Sequence, residues 1–204
     1  MRRKLALALD AAIALAVGVN WHRMFFSFSE GGALTSVQWG SLKYFTVQSN
    51  LLAGITALIS LGVLLRRREG DVPRWLRHLR WAAAVSVMLT LLTVMCFLGF
   101  IYGHGPLLMG FQLWFHLLVP LMALGNFLLL PHDAPALRES WIPVAPMFLY
   151  GVGYMANVAV NGESGDWYFL VRGSLLTGVI SALAMVLATW AIALAVRWLK
   201  KRTG

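Results

Sequence analysis

Hydroxyl and imidazole side chains at helical spacing are the residues of this chain best suited to nucleophilic chemistry. Thr46, Ser49 and Asn50 stand at i, i+3 and i+4, so a helix would place them on one face. His116 lies inside another apolar segment, where a histidine is rare and commonly functional. A hydroxyl that attacks an acyl carbon needs a base within hydrogen-bond reach. The sequence therefore predicts a nucleophile at Thr46 or Ser49, with His116 as its base.

Other polar residues could contact a substrate or stabilise a developing oxyanion. These candidates are Gln48, Ser49, Asn50, Gln112, Tyr150, Tyr154 and Asn157. Gln112 and His116 are one helical turn apart, so they share a stripe. An acid that could orient the histidine is not obvious, and Glu163 and Asp166 are the acids that the predicted topology places on its side of the membrane.

Structural roles for the same residues are the alternative. A threonine in a membrane helix commonly bonds the carbonyl of residue i−4 or packs at a helix contact. Tyr150, Tyr154 and Asn157 could equally form a structural network. Spacing alone therefore leaves a packing role for Thr46 open.

The composition places these residues in a membrane protein. Of the 204 residues, 59% are hydrophobic and only 12% are charged, and the mean hydropathy is +0.72. A soluble domain of this size would expose too much apolar surface. The formal charge of +9 could suggest nucleic-acid binding, but the basic residues lie between apolar runs, where membrane topology accounts for them.

Six apolar runs are long enough to span a bilayer, which takes about 20 helical residues. They cover approximately Lys4–Phe28, Ser41–Leu65, Trp81–Tyr102, Gly110–Leu130, Trp141–Asn161 and Ser174–Leu199. None alternates as a strand would, so the fold class is all-α: a bundle of six transmembrane helices forming a single domain over residues 1–204.

The basic residues predict the orientation. All except Arg23, Lys43 and Arg172 fall at or before the start of the first run, at or after the end of the last run, or in connectors on the same side. Arg74, Arg77 and Arg80 are assigned to the connector between the second and third runs. The positive-inside rule then places both termini in the cytoplasm. Thr46 and His116 would lie roughly 6–9 Å below the outer ends of two parallel helices.

The inner half of the predicted bundle has few polar groups. Asp10, Ser60 and Asn126 appear scattered there, and Asp10 is expected to pair with a basic residue near the cytoplasmic face. The single cysteine and dispersed histidines predict neither an internal disulfide nor a metal site, and no cofactor is expected.

Two motifs resemble signatures of the androgen-induced-gene (AIG/FAR-type) proteins, which are small six-helix membrane proteins. These motifs are Lys43-Tyr44-Phe45-Thr46 and Phe115-His116-Leu117-Leu118-Val119-Pro120. The continuation through Val47-Gln48-Ser49-Asn50 is similar to the bacterial branch, which implies a bacterial cytoplasmic membrane. In the animal members, the threonine and histidine are the catalytic pair of a hydrolase of fatty acid esters of hydroxy fatty acids. The resemblance implies that Thr46 is the nucleophile and His116 its base.

The sequence thus favours an intramembrane lipid-ester hydrolase whose partners are membrane lipids and an acyl-ester substrate, with no nucleic acid. The bacterial pattern departs from the animal one at Gln48-Ser49-Asn50, so Ser49 is a competing hydroxyl. An acyltransferase relative is one alternative. Another is a non-enzymatic lipid- or small-molecule-binding protein, such as a sensor or a transporter subunit.

Overall fold

The protein folds as an all-α membrane bundle. A computed structural model describes residues 2–26, 38–66, 72–171 and 174–203. Within these ranges, six helical segments are long and apolar enough to cross a membrane, and there is no β-strand. The chain is therefore a multi-pass membrane protein, as its hydropathy predicts.

The helices follow the predicted runs with small shifts at their ends. They are α1 (Arg2–Phe26), α2 (Phe45–Arg66), α3 (Arg74–Tyr102), α4 (Phe111–Leu129), α5 (Ala145–Asn161) and α6 (Leu175–Thr203). Short 3₁₀ turns flank α5 and extend its span to Leu137–Gly165. The predicted end of the first run, residues 27 and 28, lies outside the described residues.

The largest difference is the start of α3, which begins at Arg74 rather than Trp81. Pro73 precedes the first helical residue, where its fixed φ and missing N–H are tolerated. The early part of α3 is amphipathic: Leu76 and Arg80 are buried, while Arg74 is exposed. The assignment of Arg74, Arg77 and Arg80 to a connector is wrong because these charges belong to a helix that packs on one face.

Both chain ends meet at one face of the bundle, the terminal face. Arg2 Nη1 donates to Thr203 O at 3.3 Å, and Arg3 Nη2 donates to Leu64 O at 2.6 Å. Lys200 Nζ donates to the carbonyls of Leu128 (2.9 Å) and Leu130 (2.5 Å) at the end of α4. These bonds satisfy carbonyls that a helix leaves free at its C-terminus. The opposite end of the bundle, the far face, carries Thr46 and His116.

Helices α1 to α4 form the core. Gly54 of α2 lies against Val17 of α1, and a Cβ on Gly54 would come within 2.7 Å of Val17 Cγ1. A small residue at this position lets the two backbones approach closely. The indole of Trp81 stacks on Phe127, with ring centroids 6.4 Å apart. By contrast, only 17% of the most apolar window of α6 is buried, so α6 lies at the periphery.

A polar cluster joins these core helices near the terminal face. Asp10, Ser60, Arg80 and Asn126 come from α1, α2, α3 and α4, and each is at most 4% exposed. Arg80 donates to both carboxylate oxygens of Asp10, at 3.1 and 3.2 Å. Ser60 Oγ and Asn126 Nδ2 donate to the same carboxylate at 2.7 and 2.5 Å. The pairing of Asp10 with a basic residue is confirmed; the expectation that these groups are scattered is wrong.

His132 lies in the connector after α4, close to cationic groups of the terminal face. Its Nδ1 is 2.9 Å from Asp133 O, and its buried Nε2 has no hydrogen-bond partner among the described residues. Burial is the main cause that lowers the pKa of His132 to about 4; the charges of Lys200, Arg77 and Arg80 lower it further. The imidazole is therefore neutral in the folded protein at neutral pH.

We expect His132 to make the fold less stable as the pH falls from about 6.5 to 4. In that window the unfolded chain binds a proton at His132 that the folded chain does not, so unfolding becomes more favourable. Thermal unfolding in detergent should show a smaller loss of Tm over this pH range in His132→Asn than in wild type. Equal pH dependence in both proteins would contradict this assignment.

Candidate functional site at the far face

Thr46 lies in the first turn of α2, directly after the 3₁₀ turn Gln38–Lys43. It is half-buried, and its hydroxyl makes no hydrogen bond to the described residues. The carbonyl of Leu42, four residues earlier, accepts from Gln48 Nε2 at 2.7 Å instead. The common structural role of a membrane threonine, a bond to the i−4 carbonyl, is thus not the one adopted here.

His116 lies on α4 within a π-helical turn, Trp114–Leu118, and is only 2% exposed. Its Nδ1 is 2.7 Å from the carbonyl oxygen of Leu107, in the connector before α4. Because a carbonyl only accepts, Nδ1 carries the proton of the neutral ring, and Nε2 is left with its lone pair. The ring is therefore held in the tautomer that a general base requires.

The group that orients His116 differs from the acids considered in the sequence. Asp166 accepts hydrogen bonds from the backbone N–H groups of Leu170 (2.9 Å) and Val171 (3.0 Å). It also accepts a hydrogen bond from the Tyr154 hydroxyl. Glu163 is exposed. A backbone carbonyl, which no side-chain pattern could reveal, therefore takes the place of an acid beside His116.

One small cavity brings the predicted nucleophile and base together. It is lined by Met24, Tyr44, Thr46, Val47, Phe111, Gln112, Phe115 and His116. Its volume is about 20 Å³, enough for about one water molecule. Thr46 of α2 and His116 of α4, which the sequence predicts at similar depths on parallel helices, thus line one space.

Gln112 contributes an unused amide to the same cavity. It is 3% exposed, and its buried Oε1 has no hydrogen-bond partner in the part of the chain that the structure describes. A buried polar atom without a partner is costly, and in a functional site it commonly serves a ligand or water. Gln112 thus offers both a donor and an acceptor one helical turn from His116.

Asn50 fixes the relative position of α2 and α4. It is fully buried, and its Nδ2 donates to Thr46 O at 2.8 Å and to Phe115 O at 3.1 Å. The π-helical turn frees carbonyls of α4 from their usual i+4 partners, and Phe115 O is satisfied in this way. Asn50 consequently ties the backbone of Thr46 to the residue next to His116.

Four of the other predicted site residues border a different space, which we call the Lys43 groove. It has a volume of about 530 Å³ and lies between α2 and α5. Its lining residues are Lys43, Phe45, Gln48, Ser49, Leu52, Pro146, Leu149, Tyr150, Gly153, Tyr154 and Trp167. Gln48, Ser49, Tyr150 and Tyr154 are therefore assigned to this groove and not to the small cavity.

Ser49 is already engaged in structural bonds. Its Oγ lies 3.1 Å from Thr90 Oγ1 and donates to Thr46 O at 3.1 Å. No hydrogen bond joins it to His116 among the described residues, and the two residues line different cavities. The two hydroxyls predicted to share one helix face are thus directed to separate spaces, and the space with the imidazole is that of Thr46.

Aromatic residues hold the end of α2 against the connector after α5. The Tyr150 hydroxyl donates to Lys43 O at 2.7 Å, and Tyr168 accepts from the Phe45 N–H at 3.0 Å. Burial raises the pKa of Tyr168 well above its ordinary value, so its hydroxyl stays protonated.

Asn157 donates to Gly165 O at 3.1 Å and thus has a structural role in the connector. Lys43 and Tyr168 were not predicted as site residues, because single residues in a connector carry no spacing signal.

Comparison of the chain with protein-family models, curated proteins and solved structures gives no match. The class of the protein therefore rests on its fold and on the far-face site: a multi-pass membrane protein with a buried threonine–histidine cavity.

Proposed function

We propose that the protein is an intramembrane lipid-ester hydrolase in which Thr46 is the nucleophile and His116 is the general base. The observation that carries this proposal is the shared cavity, which is lined by Thr46 and by His116, whose Nδ1 is held on Leu107 O. An activated hydroxyl needs a base with a free lone pair and a group that orients that base. Leu107 takes the orienting role.

The reaction proceeds in two halves. Thr46 Oγ1 attacks the ester carbonyl carbon while His116 Nε2 accepts the hydroxyl proton. The tetrahedral intermediate collapses, the alcohol leaves with the proton from Nε2, and the acyl group stays on Thr46. Water then attacks the acyl-threonine while Nε2 accepts its proton. The second tetrahedral intermediate collapses as Nε2 returns that proton to Thr46 Oγ1, which releases the fatty acid and regenerates the free threonine and the neutral imidazole. Attack by an alcohol in place of water would give acyl transfer.

Gln112 is the donor proposed for the developing oxyanion. Its side chain lines the cavity, and its Nε2 makes no hydrogen bond to the described residues, so it can donate without first breaking a bond. The cavity holds about one water, so a lipid ester must displace the lining side chains. Met24 is the adaptable group there, because a thioether side chain readily changes its conformation.

The setting of this reaction follows from the charge distribution. Basic residues concentrate on the terminal face, so the positive-inside rule places both termini in the cytoplasm and the cavity near the outer leaflet. The two motifs that resemble AIG/FAR-type proteins, bacterial branch, support the same substrate class and a bacterial cytoplasmic membrane. The substrate is an acyl ester of a membrane lipid.

Labelling with a hydroxyl-directed fluorophosphonate tests the nucleophile. We expect purified wild-type protein in detergent to be labelled. Thr46→Ala should abolish labelling because it removes the attacking hydroxyl, and His116→Ala should slow labelling at least about 100-fold, the contribution of a general base. Ser49→Ala should remain labelled, because its hydroxyl lines the other cavity. Gel fluorescence and mass spectrometry of the modified peptide give the readout.

The pattern of loss identifies the site. Loss with Ser49→Ala alone would move the nucleophile to the Lys43 groove. A folded wild-type protein that is never labelled would instead support the alternative of a non-enzymatic lipid-binding protein, for which the Lys43 groove is the specific structural feature.

A further inference from the structure

The Lys43 groove has the composition of a lipid site with a charged entrance. Lys43 and Gln48 stand at the start of α2, near the far face. Leu52, Pro146 and Leu149 line it with apolar surface. We propose that this groove binds one membrane lipid that carries an anionic headgroup, with the headgroup at Lys43 and an acyl chain along the apolar wall.

Lys43 is held in position but keeps its charge available. Its carbonyl accepts from the Tyr150 hydroxyl at 2.7 Å, which anchors the backbone. Its Nζ lies 5.1 Å from the Tyr44 ring centroid and 5.8 Å from that of Trp167. Cation–π contacts of this kind orient an ammonium without neutralising it. Within the described residues, Lys43 has no carboxylate partner.

Asp166 bonds a residue that lines the groove, but its carboxylate has other partners. No Asp or Glu lines the groove. Asp166 bonds the Tyr154 hydroxyl, but its carboxylate also accepts the N–H groups of Leu170 and Val171. Charge-assisted hydrogen bonds from backbone N–H groups hold the carboxylate within the connector after α5. Lys43 is thus the one charged residue in the described lining of the groove, and a cation there favours an anionic group.

The size and location of the groove indicate that the anionic group belongs to a membrane lipid. A volume of about 530 Å³ lies within the range of sites that hold a molecule of roughly 300–1,000 Å³. The groove opens beside Leu149, which is 68% exposed on the apolar surface of α5. Such a surface faces acyl chains in a bilayer, and Trp and Tyr near a helix end are typical of the headgroup level. The ligand enters from the membrane.

This site is separate from the proposed catalytic cavity. Lys43 and Gly153 line the groove only, whereas Thr46 and His116 line the small cavity only. The inference therefore does not depend on hydrolysis, and the two proposals fail independently.

Competition between two lipids tests the proposal. Detergent-purified protein is mixed with equal amounts of phosphatidylglycerol and phosphatidylcholine with identical acyl chains, and the bound lipids are counted by native mass spectrometry. We expect wild type to retain phosphatidylglycerol preferentially. Lys43→Gln should lower the bound ratio about fivefold, the contribution of one basic side chain to anionic-lipid attraction. Lys43→Arg should keep the preference.

Two control pairs locate the effect in the groove. Arg23→Gln removes an exposed cation of the far face outside the groove and should leave the ratio unchanged. Gly153→Trp should reduce retention of both lipids, because a Cβ at Gly153 meets open space and the indole would fill the groove. Val152→Trp adds the same indole at an exposed neighbouring position. Equal binding of the two lipids by wild type, or equal effects within either pair, would overturn the proposal.

Discussion

Replacement of Arg80 with methionine is expected to lower the free energy of unfolding by about 3–5 kcal/mol, because it leaves a buried carboxylate without its cation. Arg80 contributes two of the hydrogen bonds to Asp10, which is 2% exposed. Ser60 and Asn126 would remain, but neither carries a charge. Equilibrium unfolding of the purified protein in mixed micelles with increasing SDS measures the loss.

The double variant Asp10→Leu/Arg80→Met separates this charge effect from simple damage to packing. Replacing both members of a buried ion pair by apolar residues of similar volume is commonly neutral or stabilising. We therefore expect the double variant to recover most of the stability that Arg80→Met loses. If the double variant is as unstable as the single one, packing rather than charge pairing explains the loss.

The helices could be predicted from the sequence because each apolar run is long enough to span a bilayer. The start of α3 could not be predicted in this way, because some basic side chains of its first turns face the interior of the protein. The residues from Arg74 to Arg80 form part of α3, and Arg80 points to a carboxylate on α1 instead of to water. Hydropathy averages over all faces of a helix, so it assigns such a segment to a connector.

The polar cluster near the terminal face could not be predicted from hydropathy either. Asp10, Ser60, Arg80 and Asn126 are separated by up to 116 residues along the chain. The sequence shows only that each polar group in a membrane helix needs a partner. Which groups meet depends on how the four helices are rotated about their axes, and the hydropathy pattern does not specify that rotation.

At the candidate site, residue spacing predicts which side chains share a helix face, but it does not predict which helix or cavity that face contacts. Thr46 and Ser49 are three positions apart, so their directions on α2 differ by about 60°. That difference is enough to direct Thr46 to the His116 cavity and Ser49 to the Lys43 groove. The Leu107 carbonyl was unpredictable for another reason: its position depends on an irregular turn before α4.

Ester hydrolysis is expected to fall by about 10²- to 10⁴-fold in His116→Ala, the range that general acid–base catalysis contributes. The imidazole is the only buried base in the cavity with Thr46 among the described residues. The assay follows release of a fluorescent alcohol from a long-chain acyl ester in nanodiscs, under single-turnover conditions. Unchanged thermal unfolding confirms that the variant is folded.

A second substitution shows whether Thr46 and His116 act as one unit. When a nucleophile and its base work together, removing both costs about as much as removing one. We therefore expect Thr46→Ala/His116→Ala to hydrolyse the ester no more slowly than either single variant, within about twofold, which corresponds to the spread of about 0.5 kcal/mol typical of such comparisons. Multiplicative losses would mean that His116 and Thr46 contribute separately, for example by binding the ester at two points. Because Asn50 ties Thr46 to Phe115 beside His116, the coupled outcome is the one that the geometry favours.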